Sequence, residues 1–399
     1  MRVEFGQTFP LSKWCYGVLL ALGVVLFGAG PLAKGLGIPG WILVPLYALA
    51  LTFLLMPGMI ALALGSGAID HPGERRIHET PIPRLGGIAI IAGTFGSLLF
   101  NFDFTDPFKG VVLAAGLVAA VSVLDDLHSL SAGLRLGVQV GASMILVHYG
   151  VRLEFMGGGP VGWWIEAVVT ILWVIGAANA FNFLDGMNGL AGGLGVIASG
   201  LLALVAYQGG QSDMVLLATA LLGACLGFLP YNARYDKPAL TFMGDGGSIF
   251  IGYMLAALCV MGDWAEGDRL RAYLPPLLIL ALPLFDILYT TVSRIHRNLI
   301  HNFHEWIAYT GQDHLHHRVN ALGFSRLATV GIIWLMALAL GLGALLAKSA
   351  SHAALYLILI QSGLMLILIV LLMRRGAYLQ KELRLTREHN HNHHDEDEA

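Results

Sequence analysis

The chain has 399 residues, 56% of them hydrophobic and only 12% charged, with a formal net charge of −3. Soluble domains carry about 25% charged residues, so a large water-soluble core is excluded and a helical membrane protein is implied. The slightly acidic balance points to no nucleic-acid partner. Cys15, Cys225 and Cys259 lie in apolar runs and read as small buried hydrophobes, not as a disulfide framework or a zinc site.

A membrane span needs about 20 apolar residues. That rule predicts twelve candidate helices, at 14–33, 42–64, 86–102, 110–124, 134–149, 163–182, 190–208, 213–230, 247–262, 273–290, 327–347 and 353–373. The fourth and fifth are short, and no strand-like alternation of any length interrupts them. The expected fold is all-α, a polytopic membrane protein with 11–12 transmembrane helices. The first run lacks a small-residue cleavage site and is expected to be retained, as an extra segment within residues 1–40. Residues 41–374 would form the membrane-embedded domain. Residues 375–399 would form a tail ending in EHNHNHHDEDEA, polar and low in complexity, hence predicted disordered. Its His389, His391, His393 and His394 are at most loose metal ligands.

Twelve spans put both termini on one side. The opposite side then carries only Lys34, Lys109, Arg152, Arg269, Arg271 and Lys348 of the 23 Lys and Arg in the chain, so the terminal side is expected to be cytoplasmic. The polar clusters collect there too, which predicts one chemically active face.

The central cluster is Asn179 to Gly193, reading NAFNFLDGMNGLAGG. Asn179, Asn182, Asp185 and Asn188 recur every third residue, close enough on a helix to see one another. Each step falls about 60° short of a turn, and Gly186 and Gly189 lie where the helix can break and correct the drift. Such groups at a membrane helix end are costly unless they act on a ligand.

Asp125 and Asp126 end the fourth span. Adjacent carboxylates repel unless a cation or a shared proton relieves them, and hard oxygen ligands suit Mg2+; a solvated helix end is the plainer reading. In Gly244-Asp245-Gly246-Gly247-Ser248, glycines opening a helix leave N–H groups for a phosphate, with Asp245 as a metal ligand or simply an N-cap. His314, His316, His317 and Arg318 offer donors that suit a pyrophosphate better than zinc, since the carboxylates elsewhere prefer a hard ion. Arg75, Arg76, His78 and Arg84 form a proline-stiffened basic loop suited to a lipid phosphate or to ordinary positive-inside topology. Asp286, near Arg294, reads first as a structural pairing group. Together these parts match phosphoryl transfer between a membrane lipid and a soluble phosphate compound.

Five segments in order resemble the polyprenyl-phosphate N-acetylhexosamine-1-phosphate transferases: DHPGERRIHETPIPRLGG at 70–87, DD at 125–126 with LSAGLRLGVQ at 130–139, NAFNFLDGMNGLAGG at 179–193, PYNARYDKPALTFMGDGGSIFIG at 230–252 and DHLHHRVNALGFS at 313–325. The resemblance implies transfer of a sugar 1-phosphate from a UDP-N-acetylhexosamine to undecaprenyl phosphate, with release of UMP and with Mg2+, in the bacterial inner membrane. N-acetylglucosamine is the first choice of sugar, and the phospho-MurNAc-pentapeptide branch is the alternative within the family. By position, Asp125 and Asp126 look like the aspartate pair, Asp185 like the catalytic-site aspartate and Asp245 like the magnesium ligand, with Asp185 as its partner. His314, His316 and His317 look like the motif that contacts the nucleotide-sugar diphosphate. Asn179, Asn182, Asn188, Gly244, Arg84, Arg135 and Arg318 are further expected substrate contacts. Asn188 stands where many members have a second aspartate, and the first span and region 296–312 are additions. Membrane lipids and a second copy of the chain are the remaining candidate partners. The rival class is a transporter, which twelve spans fit, although transporter sites lie near the midplane between repeated halves. A non-catalytic scaffold gives no reason for one-sided carboxylates.

Overall fold

A computed structural model describes Gly17 and residues 39–72, 80–99, 104–157, 159–235, 237–264, 268–302, 305–306, 309 and 311–397, without the side chains of 269 and 383–397. Apart from Gly17, the expected first span lies outside the described residues, as do Arg75, Arg76 and His78. The elements in order are α1 (Gly40–Ser66), β1 (Ile69–Asp70), β2 (Ile82–Pro83), α2 (Gly86–Leu98), α3 (Asp106–His128), α4 (Ala132–His148), α5 (Pro160–Phe183), α6 (Leu190–Gln208), α7 (Ser212–Asn232), α8 (Gly244–Met261), α9 (Arg269–Ile279), α10 (Ala281–His296), α11 (Leu315–Asn320), α12 (Arg326–Ala347) and α13 (His352–Asp397).

Among the described residues eight helices are long and apolar enough to cross a membrane, or nine if α9 and α10 form one span. The fold is therefore all-α and polytopic, as expected, with three differences. At 1.5 Å per residue, the 13 residues of α2 reach only about 20 Å and the 17 of α4 about 25 Å, short of the roughly 30 Å hydrocarbon core. The run at 273–290 is broken: α9 and α10 meet at a bend of 76°. It follows Pro275 and Pro276, which withdraw two N–H donors from the helix. α13 carries helical backbone through the tail to Asp397.

The helices begin where short polar side chains cap them. Thr105, Ser131 and Ser325 accept the N–H of Phe108, Leu134 and Ala328 and so start α3, α4 and α12. Helix α8 is the axis: it packs against α2, α3, α5, α6 and α7, and 83% of its apolar stretch is buried, against 22% for α13 at the periphery. Small residues permit the closest approaches. A Cβ on Gly87 would lie 2.3 Å from the Gly247 nitrogen, and one on Gly252 2.9 Å from the Ala178 Cα. α2 and α5 can therefore touch α8 backbone to backbone.

The two-residue antiparallel ribbon of β1 and β2 ties the loop before α2 to the loop before α8. Phe242 donates its N–H to the Pro83 carbonyl at 2.7 Å, and Gly86 and Gly87 donate to the Phe242 and Met243 carbonyls at 3.0 and 2.9 Å. At the opposite end of the bundle, buried Glu166 accepts the N–H groups of Phe155 and Met156 at 2.7 and 2.6 Å and pairs with Arg152.

Candidate active site

The site forms where α3 and α5 end and α8 begins. Asp126 is buried, 4% exposed, at the end of α3. Its Oδ1 accepts the Asp245 N–H at 3.0 Å and its Oδ2 the Gly246 N–H at 2.8 Å. The carboxylate thus caps α8 from another helix and sits at the positive end of its dipole. The glycine-opened N–H groups expected to be offered to a phosphate are the ones Asp126 occupies. Gly244, at φ 69°, makes the approach possible, since a Cβ there would lie 2.5 Å from Asp126 Oδ2. Arg84 donates Nη2 to the Asp126 carbonyl at 2.7 Å. Its Nε is buried and makes no hydrogen bond among the described residues.

Asp125 faces elsewhere. Its Oδ1 accepts the Leu130 N–H at 2.6 Å, closing the α3–α4 corner, and its Oδ2 accepts Arg135 Nη1 at 2.9 Å. The same Arg135 nitrogen reaches Asp245 Oδ2 at 3.3 Å. Asp125 therefore joins the site through Arg135, not by lining it as an equal of Asp126. The asparagines divide likewise. Asn182 donates Nδ2 to Asp245 Oδ1 at 3.1 Å and to Ser248 Oγ at 2.7 Å. Asn179 turns to Gln139 Oε1 at 2.7 Å and the Ile175 carbonyl at 2.8 Å and does not line the cavity. Asn188 donates to the Arg234 carbonyl at 3.2 Å from the cavity wall.

Asp126, Asp185 and Asp245 line one cavity of about 570 Å³, with Arg84, Asn182, Gly186, Asn188, Gly244 and His317. Asp185 sits in the break between α5 and α6, half-buried and still facing the cavity. Burial, then the charges of Asp245 and Asp126, push its pKa up to about 7.

The histidine segment splits three ways. His317 lines the cavity, and burial followed by the nearby His314 holds its pKa down to about 4. His316 is 2% exposed and held neutral by the same burial. Neither of its ring nitrogens has a hydrogen-bond partner among the described residues. Its Nε2 lies over Gly186, where a Cβ would come within 2.1 Å. His314 points away from the cavity: Nδ1 meets Asp286 Oδ2 at 2.7 Å, and the ring stacks on Phe183. Asp286 also accepts the Leu315 N–H at 2.7 Å. Arg294 does not pair with Asp286; it grips Asp313 through two bonds of 2.8 and 2.7 Å. Despite burial, those bonds hold the Asp313 carboxyl below its usual range. Arg318, also buried, reaches Gln380 at 2.5 Å. Of the expected phosphate contacts in this segment, His317 alone lines the cavity.

Several lining residues carried no functional reading in the sequence: Asp70, Asn232, Tyr235, Lys237, Phe242 and Arg326. Asn232 holds the glycine turn, accepting the Gly189 N–H at 2.6 Å and donating to the Thr241 carbonyl at 3.0 Å. Its place in a polar break between apolar runs was the one available signal. Gln139, inside an apolar run, offered none.

No three His, Cys, Asp or Glu side chains form a closed metal cage among the described residues. Mg2+ does not need one: it is held by one or two carboxylates plus waters and substrate phosphates. Asp185 and Asp245 fit that description, since both carboxylates line the same cavity and burial, then the charges of Asp245 and Asp126, perturb the Asp185 carboxyl.

Residues 108–263 match the family described as Glycosyl transferase family 4. The chain is 31% identical over 311 residues to a probable undecaprenyl-phosphate N-acetylglucosaminyl 1-phosphate transferase of Bacillus subtilis, covering 76% of this chain and 84% of the relative. It is 31% identical over 362 residues to decaprenyl-phosphate N-acetylglucosaminephosphotransferase of Mycobacterium tuberculosis, covering 80% and 87%. It is 28% identical over 295 residues to undecaprenyl-phosphate alpha-N-acetylglucosaminyl 1-phosphate transferase of Escherichia coli, covering 70% and 76%. With that likeness extending well beyond the cavity, the chain belongs to glycosyl transferase family 4, as a polyprenyl-phosphate N-acetylhexosamine-1-phosphate transferase homologue.

Proposed function

We propose that the protein transfers N-acetylhexosamine 1-phosphate, N-acetylglucosamine 1-phosphate first, from a UDP-sugar to undecaprenyl phosphate, releasing UMP at the cytoplasmic face of a bacterial inner membrane. The observation that carries this reading is the convergence of Asp126, Asp185 and Asp245 on one cavity at one end of the bundle. The names of the relatives above, which join a polyprenyl phosphate to N-acetylglucosamine phosphate, support the choice of substrates. The uneven distribution of Lys and Arg supports the orientation.

In the reaction a lipid phosphate oxygen attacks the sugar-bearing phosphorus. A new P–O bond forms, the P–O bond to the uridine phosphate breaks, and UMP leaves with that electron pair. A phosphomonoester has a second pKa near 6, so the nucleophile is already ionised near neutral pH. A general base has little to add, and positioning and charge neutralisation dominate. Asp126 has both oxygens engaged by α8, so its part is to orient Asp245. Asn182 and Arg135 hold the two Asp245 oxygens from either side. Asp185 and Asp245 would hold Mg2+, which when bound supplies positive charge against phosphate oxygens. Arg84, whose Nε makes no hydrogen bond among the described residues, anchors a phosphate. His317, Lys237 and Asn188 contact the nucleotide-sugar from the wall.

The deciding experiment is UMP release by purified protein given undecaprenyl phosphate, Mg2+ and a panel of UDP-sugars. Release is expected with UDP-N-acetylglucosamine or another UDP-N-acetylhexosamine. Silence with every such donor, or uptake without turnover in reconstituted vesicles, overturns the assignment.

A further inference from the structure

We propose that Gln380, on the last helix, is a positioning residue for His317, and that α13 latches the histidine helix α11 in place beside the cavity. The part that meets a ligand rests on the transfer reading above; the latch itself does not.

The argument begins with length. Helix α13 is apolar up to Met373 and runs on through Arg374 and Arg375; its residues His352–Glu382, 31 in all, reach about 46 Å at 1.5 Å each, against roughly 30 Å of hydrocarbon. Its last turns therefore project past the membrane at the end that carries the cavity. There the Gln380 carboxamide makes two bonds to α11. Its Oε1 accepts Arg318 Nη1 at 2.5 Å, and its Nε2 donates to the His317 carbonyl at 3.1 Å. One turn earlier, a Cβ on Gly376 would lie 2.1 Å from the Arg318 carbonyl oxygen, so the two backbones touch and no side chain fits between them.

Helix α11 has six residues, too few to hold a helical shape unaided. It is suspended between two helices. On one side α10 holds the start of the segment, through Asp286 to His314 and Leu315 and through Arg294 to Asp313. On the other side α13 holds its later residues through Gln380. His317 lies between these anchors and is the histidine on the cavity wall. The register of α13 thus sets where that ring stands. The anchor lies outside residues 108–263 and beyond the last motif, at 313–325.

Hydrogen exchange of the amides of residues 315–320 tests the latch without reference to any reaction. Gln380→Ala is expected to speed that exchange by at least about three- to tenfold, the worth of its one bond to the main chain of that segment, the bond to the Arg318 side chain being lost with it. Gln380→Glu keeps an acceptor for Arg318 and loses the donor to His317, so it is expected to fall between Ala and wild type. Gly376→Leu is expected to exceed both. In the transfer assay, Gln380→Ala is expected to raise KM for the UDP-sugar by about three- to tenfold, leaving kcat and the lipid KM within about twofold. The effect is expected to vanish in a His317→Ala background, because coupled residues are not additive. Unchanged exchange in both Gln380 variants, or a KM effect that adds in full to that of His317→Ala, overturns the proposal. Should the wild type release no UMP, the transfer reading fails while exchange still decides the latch. Should Gln380→Ala fail to fold, Gln380→Glu carries the same comparison.

Discussion

Asp126 Oδ1 accepts the main-chain N–H of Asp245 at 3.0 Å, across 119 residues of sequence. With the adjoining bond from Gly246 at 2.8 Å, the relationship makes one carboxylate the cap of the central helix and the support of the residue assigned to Mg2+. Asp126→Ala leaves the buried Gly246 N–H and the partly buried Asp245 N–H unsatisfied and is expected to cost about 2 kcal/mol of stability, together with most turnover. Asp126→Asn presents an amide where an acceptor is needed and is expected to lose activity with a smaller fall in melting temperature. Thermal melting in detergent beside UMP release measures both; wild-type melting for the alanine variant would contradict the cap.

The two adjacent aspartates are expected to differ. Asp125 serves the corner at Leu130 and the guanidinium of Arg135, and an asparagine there still accepts the Leu130 N–H. Asp125→Asn is expected to lose about tenfold in kcat, and Asp245→Asn about a hundredfold or more, the range seen when a group that stabilises transition-state charge is removed. Equal losses would show that Asp125 acts on substrate directly.

Asp185, with a pKa pushed up to about 7, is half protonated near neutral pH. A carboxylate must lose its proton to bind Mg2+. Apparent Mg2+ affinity is therefore expected to rise as pH increases through 7 and to level off above it, with proton release on binding below that point. Titrating Mg2+ in the transfer assay at several pH values, and calorimetry in buffers of different ionisation heat, measure this. Asp185→Asn is expected to weaken the pH dependence, and a flat profile in the wild type would refute the assignment of Asp185 to the metal.

Gly87 is a packing constraint. A methyl group there would lie 2.3 Å from the Gly247 nitrogen, with backbone on both sides and nothing to yield. Gly87→Ala is expected to cost about 1–3 kcal/mol by overpacking and to move α2 off α8. A lowered melting temperature with reduced activity is the expected result, whereas a variant as stable as wild type would mean that α2 and α8 do not touch as described.

By itself the sequence determined the class. Apolar run length governs membrane crossing, and polar groups cost too much inside it to be placed idly. The membrane class and the one-ended crowd of acids and glycines were therefore legible, the number of crossing helices less so, and the order of five motifs carried the family. Direction on a helix was not legible. Asp125 and Asp126 stand about 100° apart around α3, as do His316 and His317 around α11, and only packed neighbours decide which of each pair meets the cavity. The cap that Asp126 makes on α8 and the hold of Gln380 on His317 were decided by tertiary structure. Each joins residues whose separation along the chain leaves no trace in any local pattern.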